Sequence, residues 1–94
     1  MTKTLKAEYK GRHIVVQNNW LGGCKIFVDD AMIHHDKRYV HLDRDLPFFE
    51  FDLKTQDGVE PAAVFVEAIL DVKLLLQISG KTVARTDATT RVVA

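Results

Sequence analysis

The chain has 94 residues, and its 13 Lys and Arg residues balance its 13 Asp and Glu residues, so the formal net charge is zero. This length suits one domain with a modest core. The charge balance argues against nucleic acid or a membrane surface as a partner, because no net field attracts either. We predict a single β domain over residues 1–86 and a C-terminal tail over residues 87–94.

The first predicted element is a β-hairpin within "LKAEYKGRHIVVQ". Residues 10–11 separate two alternating runs, which is the signal of a two-residue hairpin turn. With that turn Leu5 lies opposite Val16, and Ala7 lies opposite Ile14. Both strands then bury the same side, which supports this register.

A second hairpin is predicted in "KIFVDDAMIHH", with its turn at residues 29–30. Asp tolerates the positive φ that such turns need. The pairs expected on the core side are Val28 with Ala31 and Ile26 with Ile33, and those on the other side are Lys25 with His34 and Phe27 with Met32.

A third hairpin is predicted in "LLLQISGKTVAR", with its turn at Ser79 and Gly80. Its expected core face carries Leu74, Leu76, Ile78 and Val83, and its other face carries Gln77 and Thr82. Between the second and third hairpins, "RYVHL" and "PFFEFDL" read as further strands, the latter with Pro47 at its start, where a missing N–H is tolerated.

The segment over residues 61–79 supports two interpretations. Pro61 near its start and Gly80 beyond its end are typical helix boundaries. However, its polar residues leave no continuous polar face on a helical wheel, whereas Lys73 and Gln77 share one side of a strand. We predict two strands that break near residues 70–71, with one helix at about 61–79 as the alternative.

These elements add up to seven to nine short strands joined by hairpins. Short strands at close, regular intervals are typical of all-β sandwiches and barrels. The predicted fold is therefore all-β, a compact antiparallel sandwich or barrel.

Several short motifs resemble one domain of the Fas apoptotic inhibitory molecule family. They are the His-Ile-Val start at residues 13–15, the glycines at 22–23, the Val-Asp pair at 28–29, the Ala-Ile pair at 68–69 and the Gly-Lys pair at 80–81. The similarity covers roughly residues 12–85. It implies an antiparallel β-sandwich that acts through protein contacts rather than catalysis.

The stretch from residue 28 to residue 45 is rich in His and Asp and raises the question of a metal site. His34 and His35 are adjacent, so on a strand they point to opposite faces and cannot easily chelate one ion. His41 could meet either one across a hairpin, with Asp36 or Asp43 as a further ligand. We predict turn and surface chemistry with no cofactor, and keep metal binding by His34, His35 and His41 as an alternative.

A tryptophan in a connection is the first candidate for an interaction surface. Trp20 follows Asn18 and Asn19 and precedes "LGG", so it is expected in a loop. It either caps the core or is an exposed aromatic that recognises a sugar or a protein.

Phe48 is the second candidate. Neighbouring residues of a strand face opposite ways, so Phe48 and Phe49 cannot both enter the core of a simple two-layer sandwich. We hypothesise that Phe48, beside Pro47, is an edge aromatic at a partner interface or a homodimer seam.

The sequence predicts a non-enzymatic interaction module that acts by protein–protein contact or self-association. No persuasive catalytic arrangement is present, and the alternative is a carbohydrate- or small-ligand-binding domain that uses Trp20. Cys24 is the only cysteine, which fits a reducing cytosol. With no visible signal peptide or membrane span, we expect a cytoplasmic protein whose partner is an unidentified protein or a second copy.

Overall fold

The computed structural model describes residues 2–19, 23–36, 47–68 and 72–86. Strands make up its regular secondary structure, and no helix of this part is long and apolar enough to cross a membrane. The strands are β1 (Thr2–Tyr9), β2 (Arg12–Asn19), β3 (Gly23–Val28), β4 (Ala31–Asp36), β5 (Phe49–Thr55), β6 (Gly58–Ala68), β7 (Val72–Ile78) and β8 (Lys81–Arg85).

Strands β1–β4 form the N-terminal sheet and β5–β8 form the C-terminal sheet, each in sequential order with antiparallel neighbours. The two sheets pack as a sandwich, which confirms the predicted all-β class. The helix alternative over residues 61–79 is wrong, because β6 and β7 pair along that segment. The predicted strand "RYVHL" and the tail at residues 87–94 lie outside the described residues.

The core forms where alternate side chains of the two sheets meet. In β2 and β6 the buried positions recur at every second residue, as expected for strands with one face in a core. The buried hydrophobic residues are Leu5, Ile14, Val16, Cys24, Ile26, Val28, Phe48, Leu53, Ala62, Val64, Val66, Leu74, Leu76 and Ile78.

The register of the first hairpin is as predicted, with Leu5 opposite Val16 and Ala7 opposite Ile14. The other two predicted registers are right only for the two pairs nearest the turn. In β4 a bulge leaves Ile33 as an extra residue, so His34 lies opposite Ile26 on the core side rather than opposite Lys25. A bulged strand carries one more residue than its partner, which reverses the faces of all later side chains.

The β7–β8 hairpin has the same irregularity at the same place. Its register shifts so that Ala84, not Val83, lies opposite Leu76. In both sheets the extra residue is therefore the third after the last turn. The two sheets share strand order, the position of the last turn and the bulge position, so the paired rows around the core have equivalents in both sheets. The first hairpin of the C-terminal sheet is longer, because β6 begins four residues before its first core residue and β2 begins two residues before.

Phe48 is only 7% exposed, so the hypothesis of an exposed edge aromatic is corrected. The alternation argument fails because Phe48 precedes β5 and lies in a bend rather than in the strand. Its amide donates to the carbonyl of Val64, the residue that also pairs with Phe49. Phe48 joins the core while Phe49 packs partly buried against it.

Candidate interaction surface

The outer face of the N-terminal sheet carries an apolar stripe, formed by Val15, Phe27 and Met32. Val15 pairs with Phe27 across β2 and β3, and Phe27 pairs with Met32 across β3 and β4. Val15 and Phe27 alternate with core residues, and Met32 pairs with Phe27, so all three lie on the face away from the second sheet. Val15 and Phe27 are partly buried, and Met32 is 53% exposed.

The equivalent row of the C-terminal sheet is not apolar in this way. It consists of Ala63, Gln77 and Thr82, which pair across β6, β7 and β8 in the same order. The fold thus accommodates small and polar side chains at these positions. The apolar stripe is consequently not a requirement of the sandwich itself.

The C-terminal sheet has a shorter apolar pair of its own on its outer face. Phe65 lies opposite Leu75, and both are partly buried. The next residue in that row is the exposed Arg85 on the edge strand β8, opposite Leu75. A charged side chain at a sheet edge discourages association. The stripe reaches one edge of its sheet with Met32, and its row ends with the exposed Lys6 on the other edge strand, β1.

The stripe lies between a basic row and an acidic row. On the side away from the β3–β4 turn, Lys25 pairs with His35. On the turn side are Glu8, paired with His13, and the exposed turn residue Asp30. A mixed-charge border around an exposed apolar strip is typical of a protein contact surface.

A shallow depression of about 350 Å³ lies along part of this face. Val15 and Phe27 form its apolar part, and Lys6, His13 and Asp30 are among its polar lining residues. His13 Nδ1 lies 3.8 Å from the Glu8 carboxylate, an ion pair when His13 is protonated. The face is therefore uneven enough to receive side chains of another molecule.

The edge of the stripe continues into a second groove of about 230 Å³ between β4 and β5. Ile33, the bulged residue, is 42% exposed and lines this groove with Phe51. Deeper in the same seam the His34 ring stacks on Phe49 with centroids 3.7 Å apart. The His34 ring also meets the edge of Phe48 at 6.5 Å. These rings fill the seam between the two edge strands.

A cluster of polar side chains joins the two sheets at the end that carries the hairpin turns. Glu60 accepts hydrogen bonds from the Tyr9 hydroxyl at 2.8 Å, the Lys10 ammonium at 2.8 Å and the Ser79 hydroxyl at 2.9 Å. The bond from Lys10, followed by that from Tyr9, lowers the pKa of Glu60 to about 2. The same contacts raise the pKa of Lys10 and Tyr9, because each proton is held by the carboxylate.

Arg12 makes a corresponding connection from the other sheet. Its guanidinium donates to the Asp29 carboxylate and to the Lys54 carbonyl. The pKa of Asp29 is lowered, first by the hydrogen bond from the His13 amide and then by Arg12. Arg12 thereby joins its own sheet's second turn to β5.

Arg12 and Glu60 occupy equivalent places, each two residues before the first core residue of the second strand of its sheet. Each contacts the last turn of its own sheet and the first hairpin of the other sheet. This arrangement explains the cluster as a connection between sheets, so we assign it a structural role.

The candidate residues predicted near Trp20 lie in different surroundings. Asn18 is 1% exposed and belongs to the interior, so it is not part of a surface. Asn19 is partly buried at the end of β2. Trp20 itself lies outside the described residues.

The histidines of the proposed metal site do not converge in the described part of the chain. His34 pairs with Ile26 on the core side and His35 pairs with Lys25 on the outer side. Among the described residues no three His, Cys, Asp or Glu side chains are placed to hold one ion. His41 and Asp43 lie outside the described residues.

Asn18 stands out because neither its side-chain oxygen nor its side-chain nitrogen has a hydrogen-bond partner among the described residues. It lies between Lys3 and Cys24 in the sheet register. The equivalent residue of the C-terminal sheet is Val66, which pairs with Leu74 and is also buried. An apolar residue thus suffices for the fold at this position.

Comparison with known protein families, curated proteins and solved structures finds no match for this chain. The candidate surface therefore stands on its own geometry. The sequence signal that could have revealed it was the pairing of Phe27 with Met32 on the non-core side. Recognising the whole stripe also required the register of β2 against β3. Because β2 and β3 are not joined by a two-residue turn, the sequence does not set that register.

Proposed function

We propose that this domain is an interaction module that binds another polypeptide through the stripe of Val15, Phe27 and Met32. The supporting observation is that this row is apolar and partly exposed, whereas its equivalent in the other sheet is Ala63, Gln77 and Thr82, a list that contains no large apolar side chain. Exposed apolar rows with polar borders mark binding surfaces.

The resemblance to the Fas apoptotic inhibitory molecule family supports the same class of function, since that family acts through protein contacts. The proposal requires neither a cofactor nor catalysis. A cytoplasmic location is part of it, because the chain's single cysteine, Cys24, is buried and makes no disulfide within the chain.

Site-specific photocrosslinking tests this function in cells of the source organism. A benzoylphenylalanine introduced in place of Met32 should form a covalent adduct with a polypeptide on illumination. The matched control places the same group at Val59, which is 60% exposed on β6 and lies outside the stripe. Both substitutions replace an exposed apolar side chain and should leave the fold intact.

An adduct that forms at position 32 and not at position 59 supports the proposal. Equal adduct patterns at the two positions, or none at position 32, would contradict it. The mass of the adduct further separates a second copy of this chain from a different protein.

A further inference from the structure

We infer that the partner at this surface is a second copy of the chain, packed face to face with its two-fold axis along the stripe. This inference rests on the proposed function and names its partner. In this arrangement Val15, Phe27 and Met32 of one copy cover the same residues of the other. Such an interface uses one patch twice, as two-fold symmetry requires.

The charged rows beside the stripe support this choice of partner and of axis. A two-fold axis along the stripe turns the acidic row of one copy over the basic row of the other. Lys25 then faces Asp30 of the second copy, and the same pair recurs on the other side of the axis. Both side chains border the stripe on β3 or the turn that follows it.

The other face-to-face arrangement places the two-fold axis along the strands. In that arrangement the acidic row of one copy faces the acidic row of the other, with Glu8 near Asp30 of the second copy. Like charges in close contact oppose association. The first arrangement has one like-charge contact, where the exposed Lys6 that ends the stripe's row on β1 meets Lys6 of the second copy. It also has two attractions between Lys25 and Asp30, and the second arrangement has none, so the charge pattern favours the first.

The packing also agrees with the general geometry of stacked sheets. Aligned sheets pack about 10 Å apart with their strands offset by about 30°. Phe27 lies at the centre of the stripe, between Val15 and Met32, where a buried aromatic side chain contributes most to binding. Met32 adds a flexible side chain that adapts to the opposing surface.

Sedimentation equilibrium of the purified full chain tests the inference. We expect concentration-dependent dimers that Met32→Asp abolishes and Val59→Asp preserves. Lys25→Glu and Asp30→Lys should each raise the dimer dissociation constant about 10-fold, because each replaces two weak attractions with repulsions. The double variant should return to within about threefold of the parent chain.

Folding of every variant is checked by thermal unfolding. Asp30 has a φ of 69° at the second turn position, where two other hairpin turns carry Gly11 and Gly80, so the thermal unfolding of Asp30→Lys is compared directly with that of the parent chain. Asp30→Asn offers a second variant that keeps a residue suited to positive φ and removes the charge. It should weaken the dimer less than Asp30→Lys does.

A chain that stays monomeric at about 1 mM, far above a micromolar dissociation constant, overturns the inference. So does a dimer that is insensitive to both charge changes, or one that the double variant fails to restore. If the purified chain is monomeric while position 32 still crosslinks a different polypeptide, the inference that the partner is a second copy is wrong and the proposed function stands. If position 32 forms no adduct, the proposed function itself fails.

Discussion

Replacing Asn18 by valine should stabilise this protein. Asn18 is 1% exposed, and within the described part of the chain neither polar atom of its amide has a hydrogen-bond partner. A buried polar group without a partner costs about 1–3 kcal/mol. Val66 fills the equivalent position of the other sheet, and valine also favours strands. We therefore expect the free energy of unfolding to rise by about 1–3 kcal/mol.

Thermal and denaturant unfolding measure this change. For a domain of this size, 1 kcal/mol corresponds to roughly 4–8 °C in Tm. The matched control is Val66→Asn, which introduces the same amide at the equivalent buried position and should destabilise by a similar amount. An unchanged denaturant slope would show that the difference lies in the native core.

A lower Tm for Asn18→Val would refute this reasoning. It would mean that the Asn18 amide is paired in solution with a group outside the described residues, such as an internal water molecule. A loss of stability confined to Val66→Asn, with Asn18→Val neutral, would show that the two sheets are less equivalent than their register indicates.

Two further changes test the packing and the charge cluster. Glu60→Gln should make stability less sensitive to acid. The pKa of Glu60 in the folded state, about 2, lies below its ordinary value of 4.5, so the carboxylate stabilises the fold above pH 4.5 and loses that effect as the pH falls toward 2. Acid titration followed by circular dichroism would contradict this if the parent chain and the variant lost stability with the same slope. Leu76→Ala should lower the free energy of unfolding, measured in urea, by about 2–5 kcal/mol, since the side chain is fully buried. The control Val59→Ala should change it by less than about 0.5 kcal/mol. Equal losses for the two variants would contradict the assigned core.

The parts of the fold that follow local rules were predictable from sequence. The Lys10-Gly11 turn sets a register in which both strands bury the same side, and that register is observed. The choice of two strands over one helix within residues 61–79 was also correct, since residues 62–68 pair with residues 72–78. It depended on the placement of Lys73 and Gln77 on one side of a strand.

The bulge at Ile33 was not predictable, because nothing in "DDAMIHH" marks where an extra residue enters. Its effect is large: His34 faces the aromatic side chains of the seam instead of the surface. Phe48 shows the same limit, because a bend just before β5 directs it into the core. Local alternation cannot reveal a backbone irregularity that tertiary packing selects.

The candidate surface was partly visible in the sequence and partly dependent on long-range pairing. The register expected from a two-residue turn at residues 29–30 placed Phe27 and Met32 together on the non-core side. Val15 joined them only through the pairing of β2 with β3. The comparison between the sheets, which distinguishes this row from its polar equivalent, required the whole topology.

Isotope-filtered NMR on a mixture of labelled and unlabelled chains tests the central claim most directly. We predict intermolecular contacts between the Phe27 ring and the Met32 methyl of different copies, together with contacts between the two Phe27 rings. Intermolecular contacts from Phe65 and Leu75 on the other sheet, or none from the stripe at concentrations where dimers form, would contradict the account.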